Sequence, residues 1–485
     1  MLRTRAFGVA LAVLALSTTA VGCASSSTGT GSSPASTAGS LGPLSLGVNV
    51  AAWDGILTGA DSATAAGLIT SAGLRLLRYP GGSWADEYDW STNTDSSACH
   101  AATSCPTTDP LDFDTFSSLA RSVRAQSFVT INYGSGTPAQ AAGWVAHATA
   151  EPSTRVALWE VGNEGYSCFE VNHHLAGSPT FVTGYTPDGP VCPSTEVMAK
   201  SYAAGVVPYL TAMERADPRA RIGVPWAFTG TEAAGAGVVD AAGWNRTVLR
   251  AVRGHISFVD AHWYPFDQST GVSDQEIVAS VRRIPAAADR IHSTLGRDAP
   301  GAGFVVGETN ISERPTTIDF RPVSALFAAA AVLEWLTHGA ESVDWWDLNN
   351  FGSPTAGDYG LVSSGPPETG PAGTPLPPYY GVQLASRLTS VGSRLSTLDV
   401  GASNLYGFQS DLHGTRTVLL VNADPGRAAT IDPRWFAASS DLRVETYSAS
   451  SAAGPSPVQQ SSTSADRPVR LPAQSIVVLS GSPRP

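Results

Sequence analysis

From residue 44 to about 392 the chain alternates short apolar runs with amphipathic segments. The runs Leu44–Trp53, Leu74–Tyr79, Ser127–Tyr133, Val156–Glu164, Arg221–Trp226, Ser257–Tyr264, Gly303–Glu308 and Ser342–Leu348 have the length and content of buried strands. Segments of helical period follow them, over 62–73, 112–126, 137–149, 195–216, 240–253, 273–295, 322–338 and 378–390. Eight strand–helix units in a row predict an α/β chain whose main domain, 44–392, is a (β/α)8 TIM barrel. No Gly-rich phosphate loop follows the first strand, which disfavours an open doubly wound sheet. Past residue 393 the helical period stops. Val418–Asn422, Leu442–Tyr447 and Ser475–Leu479 alternate with Pro, Gly and Ser turns, which predicts a C-terminal antiparallel β-sandwich over 393–485.

The first residues follow a different pattern. Arg3 and Arg5 precede an apolar core from Phe7 to Leu16, too short to span a bilayer but right for an export signal. Ala20-Val21-Gly22-Cys23 resembles a lipoprotein cleavage site, although Leu is commoner than Ala at its first position. Residues 1–22 are therefore expected to be a lipoprotein-type signal peptide with Cys23 lipidated, simple secretion being the alternative. Residues 23–43, mostly Ser, Thr, Gly and Ala, form a flexible linker. The expected location is extracellular, on the outer face of a bacterial cell membrane, with the lipid on Cys23 as the only membrane contact. In such an oxidising place Cys99, Cys105, Cys168 and Cys192 are expected in two disulfides. Of three possible connectivities, Cys99–Cys105 and Cys168–Cys192 is the expected one, because each pair lies within one long loop.

Composition narrows the partners. The 485 residues are 42% hydrophobic and 14% charged, enough for a large core, and the formal net charge is -12. An acidic chain lacks the basic face that nucleic-acid phosphates require. No cofactor is expected. His173-His174 has no third ligand nearby in sequence, so no metal is expected either.

In a barrel of this type the chemistry sits at the C-terminal ends of the strands. Two strands end on a carboxylate behind an apolar run and a glycine: Val161-Gly162-Asn163-Glu164 and Val306-Gly307-Glu308. Other strand ends supply Arg78, Asn132, His262, Tyr264 and either Trp345 or Trp346, and the loop after the second strand supplies Trp84. Amides, carboxylates and a guanidinium suit sugar hydroxyls, and indole or phenol rings suit sugar CH faces. Two carboxyl groups suit glycosidic cleavage, with Glu164 as acid/base and Glu308 as nucleophile. Arg78 and Tyr264 are expected to hold Glu308 ionised, and Asn163 to hold a sugar hydroxyl. Desolvation is expected to keep Glu164 protonated. There are structural alternatives for several of these residues. Arg78 has Asp86 and Glu87 as possible partners, Trp84 and Trp90 suit loop packing, and Glu160 reads as facing away from the pocket.

At these positions the sequence resembles clan A of the retaining glycoside hydrolases. Asn163-Glu164 is similar to the clan's acid/base motif and Gly307-Glu308 to its nucleophile. Arg78-Tyr79-Pro80-Gly81-Gly82 with Tyr88-Asp89-Trp90 resembles the family 51-like α-L-arabinofuranosidases. So do Asn132-Tyr133-Gly134-Ser135-Gly136-Thr137 and Trp159-Glu160-Val161-Gly162-Asn163-Glu164. The resemblance implies a polysaccharide or oligosaccharide substrate and a retaining enzyme releasing arabinofuranosyl groups. An endo-acting β-glucanase or xylan-active enzyme of the same clan, or a surface lipoprotein that binds glycan without cleaving it, are the other readings. The β-domain of that family usually borrows N-terminal strands, and here little folded chain precedes the first strand.

Overall fold

The computed structural model describes residues 39–95, 107–167, 170–172, 193–230, 232, 240–350, 357–365, 370–433, 435–437, 440–451 and 457–482. The signal peptide, Cys23, Cys99, Cys105, Cys168, Cys192 and the His173-His174 pair lie outside them. Among the described residues no helix is long and apolar enough to cross a membrane.

Eight parallel strands close into a barrel in chain order. They are β1 (Leu46–Asn49), β2 (Leu76–Tyr79), β3 (Gln126–Ile131), β4 (Val156–Val161), β5 (Ile222–Trp226), β6 (Phe258–Trp263), β7 (Gly303–Thr309) and β8 (Val343–Trp345). Closure is by β1 against β8, with Leu46 opposite Val343. The helices outside start where the sequence offers caps. Asp112, Thr137, Ser194 and Asp240 each accept a first-turn N–H ahead of α2 (Phe113–Ser122), α3 (Pro138–Ala150), α4 (Thr195–Ala216) and α5 (Ala241–Ala251). The ring is completed by α1 (Ser62–Ser71), α6 (Asp274–Ala279), α7 (Ile284–Asp298), α8 (Pro322–Thr337) and α9 (Pro377–Ala385). The single helix expected over 273–295 is in fact two, separated by a 3-10 turn at Ser280–Arg283. Pro285 explains the break, since it has no N–H to continue the ladder. Nearly every residue of α8 is buried, as expected for a helix apolar all round.

The C-terminal region is a six-stranded antiparallel sheet covered by a two-stranded ribbon, Ala429–Ile431 with Val469–Leu471. Its strands are Arg394–Thr397, Leu405–Leu412, Thr415–Asn422, Ser475–Gly481, Asp441–Ser448 and Val458–Ser464, in that spatial order. The period-2 alternation serves two cores. Leu419, Val421, Ile476 and Val478 join the barrel's core, while Val418, Leu420, Val477 and Leu479 pack under the ribbon. The contact with the barrel also includes Tyr380 stacked on Tyr447 and the ion pair of Arg387 with Glu445. Among the described residues the N-terminal segment meets this sheet at a bridge from Ser40 to Arg394.

The barrel interior is layered. Leu44, Leu76, Phe128, Leu158, Phe258 and Val305 plug the end where the strands begin. Two residues further along the same strands the inward positions become Arg78, Thr130, Glu160 and Asp260. A polar floor is thus laid on an apolar plug, with the Arg78 guanidinium 5.5 Å above the Phe128 ring.

Candidate active site

Arg78, at the end of β2, is fully buried and organises the floor. One terminal nitrogen donates to Glu308 Oε1 at 2.7 Å and Asn49 Oδ1 at 2.9 Å. The other donates to Glu160 Oε2 at 2.8 Å and Asn163 Oδ1 at 3.0 Å. Its Nε lies 3.5 Å from Asp260. Burial by itself would lower the guanidinium pKa, but Glu160, Glu308 and Asp260 more than reverse that, so the charge is permanent. Asn49 fixes the level of this layer by donating to the main-chain oxygens of Gly307 and Trp345. Gly307 has a steric reason: a Cβ there would stand 2.1 Å from Asp260 Oδ2, and its N–H donates to Asp260 Oδ1 at 2.6 Å.

Glu308, from β7, is nearly buried and accepts from Arg78 on one oxygen and from the Tyr264 hydroxyl at 2.7 Å on the other. Glu164 sits just past β4, after the left-handed turn at Gly162, and itself has a φ of 38°. Its side chain keeps 26% of its surface exposed. The Tyr166 hydroxyl donates to Glu164 Oε1 at 3.0 Å, and His262 Nδ1 lies 3.0 Å from the same oxygen. His262 Nδ1 is also 3.5 Å from Glu308 Oε2. One oxygen of Glu164, one nitrogen of His262 and one oxygen of Glu308 all lie within 4.8 Å of one another. Two strands that are far apart in sequence therefore bring their terminal carboxylates to one place.

The charges on these groups follow from their contacts. Burial pushes Glu164 up, but the bond from His262, its charge and the Tyr166 hydroxyl outweigh burial and bring Glu164 below its ordinary value. The expectation of a carboxyl kept protonated by desolvation is therefore replaced by a carboxylate held by histidine. Burial alone would lower His262, but Glu308, Asp260 and Glu164 raise it well above the ordinary imidazole value. The two shifts together favour a His262 imidazolium facing a Glu164 carboxylate. Glu160, Asp260 and His262, like Glu164, His262 and Glu308, have the spacing of metal ligands. The Arg78 cation already lies within 3.5 Å of Glu160, Asp260, His262 and Glu308.

Asn163 is buried, and its amide nitrogen donates to Glu170 Oε1 at 2.9 Å. Glu170 also accepts from Ser83 at 2.8 Å. Burial, with the charge of Glu164 next, raises Glu170 to about 8. Trp346 follows β8 through a cis peptide to Asp347, and Asn310 holds its carbonyl at 2.7 Å. Its indole lies against Gly82, where a Cβ would come within 2.7 Å of the ring. Trp345 points the other way, into the core, as strand alternation requires.

Two expected site residues are engaged by their own loops. Asn132 spends its side chain on the loop after β3, donating to Tyr88 O and Ser135 Oγ and accepting from the N–H groups of Ser135 and Gly136. It is a turn-former of the Asx kind. Trp84 donates to Asp109 at 3.3 Å and packs on Trp53 at 4.8 Å between ring centres. Glu160 faces inward, contrary to its sequence reading. It shares a face with Leu158, which points into the plug. The same alternation, run from His262 back to Asp260 and Phe258, identifies Asp260. Tyr166 and Glu170 sit on loop backbone, where no periodicity marks them.

The barrel and β-domain together are an architecture shared with many solved structures of clan A glycoside hydrolases. An arabinofuranosidase crystal structure superposes with a TM-score of 0.67 at 14% identity, covering 92% of this chain and 98% of that one. The α-L-arabinofuranosidase of Thermotoga maritima, in complex with arabinose, gives 0.66 at 14% identity, covering 91% and 97%. CelM2, a bifunctional glucanase-xylanase from a metagenome library, gives 0.63 at 14% identity, covering 93% and 98%. No protein-family model and no curated protein matches the chain.

Proposed function

We propose that this chain is a retaining glycoside hydrolase and that its preferred group is an α-L-arabinofuranosyl unit. The observation that carries the mechanism is the placement of a Glu164 oxygen and a Glu308 oxygen within 4.8 Å. Retaining enzymes separate their carboxyl groups by about 5–5.5 Å and inverting ones by about 6.5–9.5 Å, the larger gap leaving room for water. Glu308 attacks the anomeric carbon, aimed by the hydrogen bonds from Arg78 and Tyr264. As the leaving-group oxygen departs, Glu164 passes it the proton it shares with His262. Water then hydrolyses the glycosyl ester on Glu308, and Glu164 takes the water's proton, with His262 as its store.

The choice of sugar is supported by the paired Arg-Tyr-Pro-Gly-Gly and Trp-Glu-Val-Gly-Asn-Glu motifs and by the arabinofuranosidases among the structural neighbours. The glucanase-xylanase neighbour favours a second reading, an endo-acting enzyme on β-linked plant glycan. For Glu308→Ala, the account expects loss of turnover on aryl α-L-arabinofuranosides. Azide should restore it, giving a glycosyl azide of inverted configuration. A variant with wild-type rates ends the assignment. Cleavage of β-glucan or xylan but not arabinosides keeps the mechanism and changes the sugar. The N-terminal pattern supports export with a lipid on Cys23. Cys23→Ala should then move the protein from the detergent phase to the aqueous phase, and an unchanged partition contradicts the anchor.

A further inference from the structure

The loops after β1 and β8 border an open cavity of about 290 Å³ on the face where the barrel strands end. It is walled by Trp53, Asp54, Asp61, Asn349, Asn350 and Ser364. That volume is at the small end of ligand pockets. The lining has the mix that sugars require: an indole face, two amides, a hydroxyl and carboxylates. Around it lie buried polar atoms with no protein partner, namely Trp53 Nε1, Asp54 Oδ2 and both carboxylate oxygens of Asp347. Asp347 is 1% exposed. An unpaired buried polar group is costly, and here four such atoms belong to three residues of the loops after β1 and β8. Asp347 also links the two sites: burial raises it first, and the charges of Asp54, Asp358 and Glu308 add to this.

We propose that this cavity is a glycosyl subsite adjoining the catalytic pocket, and that it takes a neutral sugar unit of the chain being cleaved. The inference rests on the glycosidase reading. It adds both substrate length and charge. The charge argument is direct. From Leu46 to Leu74 and from Leu348 to Ser386 the sequence contains no Lys, Arg or His. A uronate here meets the exposed Asp61 carboxylate and the Asp54 carboxyl, which burial raises to about 7, with no compensating cation in either wall. A neutral sugar instead offers hydroxyls to the Asp61 carboxylate and the Asn349 and Asn350 amides, and a CH face to the Trp53 ring.

The test is a ladder of substrates with an aryl glycoside at its foot. The ladder uses α-1,5-arabino-, β-1,4-xylo- and cello-oligosaccharides of increasing length. In the series that is cleaved, kcat/KM is expected to rise roughly tenfold when the unit that reaches the cavity is added, about the worth of one or two hydrogen bonds. Trp53→Leu and Asp54→Asn should abolish that gain, and the exposed Asp61→Ala should reduce it, with the change in KM. Calorimetry on Glu308→Gln should show binding of the neutral tetramer and none of tetragalacturonate. A gain that survives all three variants overturns the subsite. Galacturonate binding as tight as the neutral tetramer overturns its charge preference. Cleavage of the aryl glycoside with no gain from length sinks the subsite and leaves the glycosidase reading intact. Cleavage of nothing on the ladder, aryl glycosides included, sinks both.

Discussion

The two ends of the barrel interior are built on the same strands, two residues apart, and they obey opposite rules. At the closed end Leu76, Phe128, Leu158 and Phe258 form a dry plug, with Phe128 and Phe258 edge to face at 5.8 Å. At the open end the next inward residues are Arg78, Thr130, Glu160 and Asp260, a buried cation with a hydroxyl and two carboxylates, and Glu308 pairs with the same cation. The plug is held by burial and packing, which tolerate changes of shape poorly but carry no charge. The floor is costly to desolvate and gains little net stability from its pairing. What the floor provides is a fixed positive charge bonded to Glu308. One end supplies stability, and the other supplies direction at some cost in stability.

The comparison can be broken most severely at the open end. Glu164→Ala should slow cleavage of glycosides with poor leaving groups by about 10²–10⁴, the usual worth of general acid–base catalysis. Activated aryl glycosides should lose far less in the first step. An equal loss on both argues that Glu164 is not the acid.

Next come two variants one layer apart. Arg78→Met leaves Glu160, Glu308 and Asp260 without their cation, and breaking such a buried pair costs about 3–5 kcal/mol. Phe258→Ala opens the plug at a similar cost, about 3–5 kcal/mol. Denaturant melts should therefore look alike. Activity at a temperature where both stay folded should not: Phe258→Ala keeps turnover and Arg78→Met loses it. If both lose activity in parallel with stability, the two layers do not divide the work.

The alternation that separates these layers is readable in the sequence. The eight strand positions, the β-domain and the two terminal glutamates all follow from period and position. Glu160 and Asp260 were legible by the same period, once Leu158 and Phe258 are assigned to the plug. Asn132 misleads because an amide after a strand serves a sugar or its own turn equally well, and only the bonds to Ser135 and Gly136 decide. The bond from His262 to Glu164 joins residues 98 apart in the chain, so the reversal of Glu164's expected protonation is a tertiary fact that no local pattern carries.

A subtler test concerns pH. His262 has a raised pKa in the folded protein. Its stabilising contribution is therefore complete below the unfolded value of about 6.5 and is lost as pH rises through the folded value. The alkaline limb of kcat/KM follows the last proton of the His262–Glu164 pair. His262→Gln should move that limb to lower pH, because an isolated carboxyl gives up its proton sooner than the pair does. An unmoved limb would place the acid proton elsewhere. The smallest effect is expected at the residue engaged by its own loop. Asn132→Ala should cost about 1 kcal/mol of stability, the worth of a lost turn bond or two, and leave KM unchanged. A KM that rises several-fold without loss of stability would return Asn132 to the substrate.

The most direct measurement is the anomeric configuration of the first-formed product, followed by proton NMR on whichever glycoside the enzyme cleaves. Carboxylates as close as Glu164 and Glu308 leave no room for a water on the far face, so the product should first appear with the substrate's configuration and mutarotate afterwards. Inversion in the first-formed sugar would contradict the account, whatever the sugar proves to be.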